Sequence, residues 1–228
     1  MDITYRINRS RKRRKTISLQ VNDNAELVVA APCFTPEKDI ARFVLEKQKW
    51  IHQNLQKQKK ANVKKVRRQF ADGEHYYYLG YPYPLNVFFD PFTTEGITLK
   101  NDRFHLNTQG NTDVRRHYLV SWYKQKAQSF IRQRVDFFGE MLKLTYGNIS
   151  VTSARKRWGS CSAVNDLAFS FRLIMTPPRI IDYVIVHELS HIREKNHSAE
   201  FWKEVEAVIP EHKKLKRWLQ EHHHQFML

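Results

Sequence analysis

VIVHELSHIREKNH, residues 184–197, sets His187 and His191 four residues apart inside an apolar run, with Glu188 beside the first and His197 six residues after the second. At about 100° per residue, Ile180, Val184, His187 and His191 share one helical face and Glu188 lies at its shoulder, while Ile181, Ile185, Leu189 and Ile192 fill an adjoining apolar face. The spacing therefore predicts a buried helix that points both imidazoles the same way. Residues four apart on a helix have Cβ atoms about 5–6 Å apart, within reach of one ion. Zinc held for catalysis takes three protein ligands and keeps a position open. His197 supplies the third ligand if the helix stops soon after His191 and the chain turns back. Asn196, a residue that tolerates left-handed backbone, and Ser198 with Glu200, a helix start, offer such a stop. Glu200, Glu204 and His212 lie downstream as alternative third ligands.

Glu188 completes the chemistry. A carboxylate beside a zinc-bound water takes its proton as the water attacks a carbonyl and hands it to the leaving amine, so no nucleophilic side chain is required. The expected site is thus Zn2+ on His187, His191 and His197, with Glu188 as catalytic base in peptide-bond hydrolysis. Two other readings stand beside it. The histidines and Glu188 would form a satisfied polar core if each found a partner, or hold a structural zinc if a fourth protein ligand closed the site.

Working outward from the motif, Pro177 and Pro178 open its helix, and two segments helical by spacing follow it, SAEFWKEVEAVIP (198–210) and EHKKLKRWLQEHHH (211–224). Before it, NISVTSA (148–154) and DLAFSFRLI (166–174) read as strands separated by RKRWGSCSAVN (155–165). Val114 to Leu144 carries an apolar face without proline and reads as one long helix, with Gly139 as the place where it would break. A composition shift at TQGNTD (108–113) separates this half from a basic, strand-rich one. There ITYRINRS, TISLQVN and AELVVAAP alternate apolar and polar residues as a small antiparallel sheet would, and a helix capped by Thr35, with Pro36 first, carries Ile40, Phe43, Val44, Trp50, Ile51 and Leu55 on one stripe. Further strands are expected between residues 67 and 107. The expected class is α+β, with a β-rich basic module over 1–110 and the HExxH half over 111–228.

Composition narrows the partners. The 228 residues hold 39 Lys and Arg against 23 Asp and Glu, a formal +16. The excess is bunched in RSRKRRK (9–15) and KQKKANVKKVRR (57–68), which suits a polyanion such as nucleic acid and equally suits a solvated face. The polar amino terminus and the absence of a run of about 18 apolar residues argue against a signal peptide and a membrane span. A soluble, cytoplasmic protein is expected. Cys33 and Cys161, far apart, cannot form a disulfide framework or a cysteine-rich zinc cluster. Arg155 or Arg157 is a candidate to stabilise an oxyanion, Cys161 a weak candidate nucleophile, and Tyr76, Tyr77, Tyr78 and Tyr81 are core residues or base-stacking ones. HHH (222–224) is short for a metal site.

RWGSCS (157–162), FSFRLIMTPPRIIDYVIVHELSHI (169–192) and NHSAEFW (196–202), with RSRKRRKTISLQV, AP and KQKWI near the amino terminus, resemble the YgjP-like metallopeptidases, relatives of the SprT and WLM groups. The resemblance covers nearly the whole chain. It implies a zincin-like α+β catalytic half, with His187, His191 and His197 on zinc and Glu188 as base. Glu194 stands where metzincins of the same histidine spacing have glycine, so the return turn must be built differently. The resemblance suggests a peptide or protein substrate, and analogy with its relatives adds nucleic-acid-associated proteins. A nucleic-acid-binding or scaffold protein with a structural zinc and no turnover is the alternative, and oligomeric state is left open.

Overall fold

Short strands and amphipathic helices gather into two compact units, Met1–Arg67 and Arg68–Leu228. The computed structural model describes residues 3–11, 13–22, 24–63 and 68–228, with residues 57–63 described by backbone alone. The basic run at 57–68 therefore lies almost wholly outside the described side chains. No described helix is long and apolar enough to cross a membrane.

In the first unit, β1 (Tyr5–Ser10), β2 (Ser18–Val21) and β3 (Leu27–Pro32) form a sheet in the order β1-β3-β2. β3 is antiparallel to β2 but parallel to β1, so the sheet is mixed where alternation alone suggested an antiparallel one. Strand period fixes which face is buried and says nothing about direction. Leu27, Val29 and Ala31 face inward onto Ile40, Val44 and Ile51 of α1 (Glu37–Glu46) and α2 (Gln48–Val63). Thr35 is not the cap: Pro36 occupies that position in extended backbone, with no side-chain bond to the first turn. The single expected helix is two, because Lys47 leaves helical geometry between them. Arg9, in the first basic run, donates to the carbonyls of Cys33 and Thr35 and so ties down the chain that leads into α1.

In the second unit, β4 (His75–Tyr78), β5 (Tyr81–Phe88), β6 (Gly96–Lys100) and β7 (Arg103–Asn107) form a sheet ordered β4-β5-β7-β6. α3 (Thr112–Leu142) follows it. Asn111 caps α3 by accepting from the backbone N–H groups of Asp113 and Val114. Gly139 does not break the helix; its missing Cβ leaves room for the Tyr146 ring. The unit boundary near Arg67 precedes the composition shift at 108–113, because Tyr76, Leu85, Phe104 and Leu106 share one core with Leu119, Trp122 and Tyr123 of α3.

The remaining elements place the helix that carries His187 and Glu188. β8 (Ile149–Thr152), β9 (Gly159–Cys161) and β10 (Leu167–Ser170) make a sheet ordered β8-β10-β9, in which β9 arises within the stretch expected to be a connecting loop. β10 stops at Ser170, whose hydroxyl accepts from Arg172 N–H and starts a 3-10 turn over Phe171–Met175 where a longer strand was expected. α4 (Pro178–Ser190), α5 (Ala199–Val208), α6 (His212–His222) and a last 3-10 turn complete the chain. Two devices hold α4. The β4–β5 hairpin turns through Leu79 and Gly80, both at positive φ, and their N–H groups donate to Ile174 and Met175 carbonyls; a Cβ on Gly80 would lie 2.8 Å from Pro177 Cγ at the helix entry. Farther along, Arg134 of α3 grips Asp182 of α4 through Nε–Oδ1 at 2.7 Å and Nη2–Oδ2 at 2.8 Å.

This two-bond pair is partly buried, so its loss is felt beyond that of a surface ion pair. Asp182→Ala should lower the unfolding free energy by about 1–2 kcal/mol. Urea denaturation of Asp182→Ala, Arg134→Ala and the double variant checks this, and the two single losses should not add.

Candidate metal centre

α4 is buried on nearly all sides, with Ile181, Ile185, Val186 and Leu189 fully inaccessible. Its last turn carries His187 and Glu188, and His191 stands at its C-cap with helical φ. The chain then has to reverse. No residue from 191 to 198 adopts left-handed backbone, so the expected role of Asn196 is not what turns it. Instead the end of α4 tightens, with N–H bonds from Ile192 to Leu189 and from Arg193 and Glu194 to Ser190. His191 Nδ1–H then donates to the Glu194 carbonyl at 3.0 Å. Side chains pin the rest: Arg193 donates to the Leu142 carbonyl at the end of α3, and Lys195 Nζ to Asn165 Oδ1 at 2.7 Å and to the Ser162 carbonyl at 3.1 Å. Glycine is unnecessary where side-chain bonds enforce the path. Ser198 accepts from Phe201 N–H and starts α5, as its sequence position suggested.

The reversal delivers His197 to the first two histidines. His187 Nε2 and His197 Nε2 are 3.0 Å apart, and one ring nitrogen from each of the three imidazoles lies within 4.8 Å of the others. Ligands on a tetrahedral zinc, at about 2.0–2.1 Å from the ion, stand roughly 3.3 Å from one another. Because a carbonyl only accepts, the His191 bond is donated by Nδ1–H, which leaves Nε2 as the ring nitrogen available to face a metal. His187 Nδ1 is buried without a hydrogen-bond partner. Burial, then the neighbouring His191 and His197, push the His187 pKa down to about 3, and burial likewise lowers that of His197. The donor set therefore fits a cation: converging ring nitrogens, two imidazoles with lowered pKa values, and a cluster that is poorly satisfied as a core of histidines alone. Glu204, one alternative ligand, faces Arg193 at 3.6 Å, and His212 is buried on the far side of Trp202.

Two aromatic residues that the sequence offered only as part of a motif build the walls. Phe201, fully buried, has its ring within 4.9 Å of all three imidazole centroids and forms their floor. Trp202 is stacked between His197, at 5.7 Å, and His212, at 5.3 Å, with Lys216 Nζ 4.8 Å from its ring. Their places at the third and fourth positions after the Ser198 cap are the signal that would have found them.

Glu188 is 7% exposed, and burial raises its pKa to about 7 while Arg157 pulls it down. It opens with the histidines into a cavity of about 330 Å³ bordered by Gly159, Ser160 and Cys161 of β9 and by Arg157 and Lys195. Arg157 is exposed, whereas Arg155 reaches the Leu228 carbonyl. Cys161 is a poor nucleophile here, because burial raises its thiol pKa against the opposing pull of Lys195. Of the tyrosines, Tyr76 is fully buried and Tyr81 exposed.

Residues 15–222 match the family model described as "YgjP-like, metallopeptidase domain". Similar solved structures include two crystal structures of metallopeptidase zymogens, abylysin of Pyrococcus abyssi at 19% identity and jannalysin of Methanocaldococcus jannaschii at 20%. Each alignment covers 40% of this chain, and 93% and 94% of the respective neighbour, with a TM-score of 0.37 in both cases. No curated protein matches the chain.

Stacking on Trp202 is what orients the exposed third histidine. Trp202→Ala should leave the fold intact and weaken the affinity for a divalent metal ion by roughly 10- to 100-fold, the range for residues that orient ligands. Competition with a chromophoric chelator measures this, and an unchanged affinity would remove Trp202 from the site.

Proposed function

The chain belongs to the YgjP-like metallopeptidase family, and on that footing we propose that it is a zinc-dependent peptidase with Glu188 as its general base. The observation that carries this reading is the convergence of three imidazoles beside a buried carboxylate in one open cleft. His187, His191 and His197 would hold the ion. Zinc bound there would polarise the scissile carbonyl and make water acidic near neutral pH.

The chain's own residues do the rest. Glu188 Oε takes a proton from the attacking water as its oxygen bonds to the carbonyl carbon, then releases that proton to the amide nitrogen as the C–N bond breaks. Burial suits it to both steps, since a carboxylate kept partly out of water holds a proton more readily than one at the surface. Arg157, on the rim, puts a positive charge near the developing oxyanion. β9 is an edge strand that borders the cleft, and it offers unpaired backbone groups along which an extended peptide can lie. Phe201 and the return turn exclude water from the inner side of the imidazoles. Lysine-rich and arginine-rich runs extend the proposal to proteins bound to nucleic acid in the cytoplasm. Residues 1–67 hold 17 of the 39 Lys and Arg but 6 of the 23 Asp and Glu.

The decisive comparison is Glu188→Gln. Its zinc content and melting temperature should match the parent, while cleavage of a casein or mixed-peptide substrate drops by about 10²–10⁴-fold. Undiminished cleavage would leave the fold and metal in place and refute the assignment of Glu188. For the basic runs, affinity for a mixed-sequence DNA duplex should fall steeply between about 50 and 200 mM salt. A flat response in a filter-binding or anisotropy titration would reduce them to solvated surface.

A further inference from the structure

RWGSCS contains a contact that the proposed chemistry has not used. A Cβ built on Gly159 would lie 2.6 Å from Glu188 Cγ, 2.8 Å from Oε1 and 2.9 Å from Cδ. Carbon atoms do not pack that closely, and the conflict involves the stem of the side chain as well as its tip. Gly159 is not at positive φ, unlike Gly73 and Gly80, so its backbone torsion does not demand glycine. What demands it is the neighbour.

Neither partner is free to move away. Gly159 is registered against the fully buried Phe169 in the β9–β10 ladder, and the Trp158 carbonyl beside it accepts from Ser170 N–H at 2.8 Å. The segment leading to it is held from below by the buried Arg172, whose Nη1 donates to the Ser153 carbonyl at 3.1 Å. Glu188 is fixed by the burial of α4, which Arg134 and the β4–β5 hairpin lock in place. No hydrogen bond to its carboxylate is found among the described residues, so packing is what defines where the carboxylate stands. A rigid strand and a rigid helix therefore meet at the one point where the strand has no side chain.

We propose that Gly159 is the positioning residue for Glu188: its bare Cα is the seat that lets the carboxylate lie between the imidazoles and the edge of β9. This rests on Glu188 acting as the base. A methyl group at position 159 would turn the carboxylate out of that seat while leaving the three histidines and the backbone N–H and C=O groups of β9 in place.

The test uses the full-length, zinc-loaded protein. Gly159→Ala should bind one zinc with parental affinity and keep KM within about threefold, while kcat falls by about 100-fold, the loss expected for a reacting group displaced by about 1 Å. Melting temperatures provide an arm independent of turnover. Gly159→Ala should lower Tm in the parent and do so by less than half as much in Glu188→Ala. Equal losses in both backgrounds would mean a general strand defect and overturn the proposal, whatever the activity. Loss of cleavage in Glu188→Gln with parental kcat in Gly159→Ala would overturn it while leaving the base assignment standing. Full cleavage in Glu188→Gln would instead overturn the base assignment itself.

Discussion

Three imidazoles are held mutually close, with only the third of them exposed, and the rest of the carboxyl-terminal unit is arranged to make that possible. Imidazoles at this separation gain little from one another. His187 Nδ1 has no partner, and His187 and His197 set two ring nitrogens 3.0 Å apart. Such a cluster persists only because its surroundings are rigid. Phe201 closes it from below, Trp202 stacks on the most exposed member, and α4 is pinned by the Arg134–Asp182 pair on one side and the Leu79–Gly80 turn on the other. Strain of this kind concentrates at functional sites, and a cation shared by the three rings would relieve it.

The return from α4 shows how one side chain serves two purposes. His191 closes the turn through Nδ1 and in doing so settles its own tautomer, which leaves Nε2 to face the other rings. Arg193 and Lys195 then fasten the turn to the end of α3 and to the β9–β10 connection. Where other chains with this histidine spacing use a glycine torsion, hydrogen bonds do the same work here. Lys195 also links the third histidine's segment to the strand that borders the cleft, so the metal side and the β9 side of the cavity are mechanically joined.

Much of this was legible in the linear chain. The i, i+4 histidines in an apolar run specify a buried helix with both rings on one face, the Ser198 cap marks where α5 begins, and the proline pair marks where α4 begins. These are local effects, decided within a turn or two of backbone. The long α3 was equally clear from its uninterrupted face, although Gly139 suggested a break that packing against Tyr146 removes. The cap at Pro36 and the break at Lys47 were misread locally, whereas the direction of β1 beside β3, the strand Gly159–Cys161 within 155–165, the packing of β4–β7 on the α3 core and the geometry at Asn196 depend on partners distant in sequence.

The sequence by itself determined how His187, Glu188 and His191 stand relative to one another, because helical periodicity and capping act over a few residues regardless of the rest of the fold. Only the tertiary structure decided where His197 and Glu188 come to stand. The first depends on bonds from Arg193 and Lys195 to residues 30 or more positions away, and the second on the absence of a side chain at Gly159, on a strand that exists only once β10 is there to pair with it. Local torsions set the direction of a side chain, but the space it has to occupy is set by whatever packs against it.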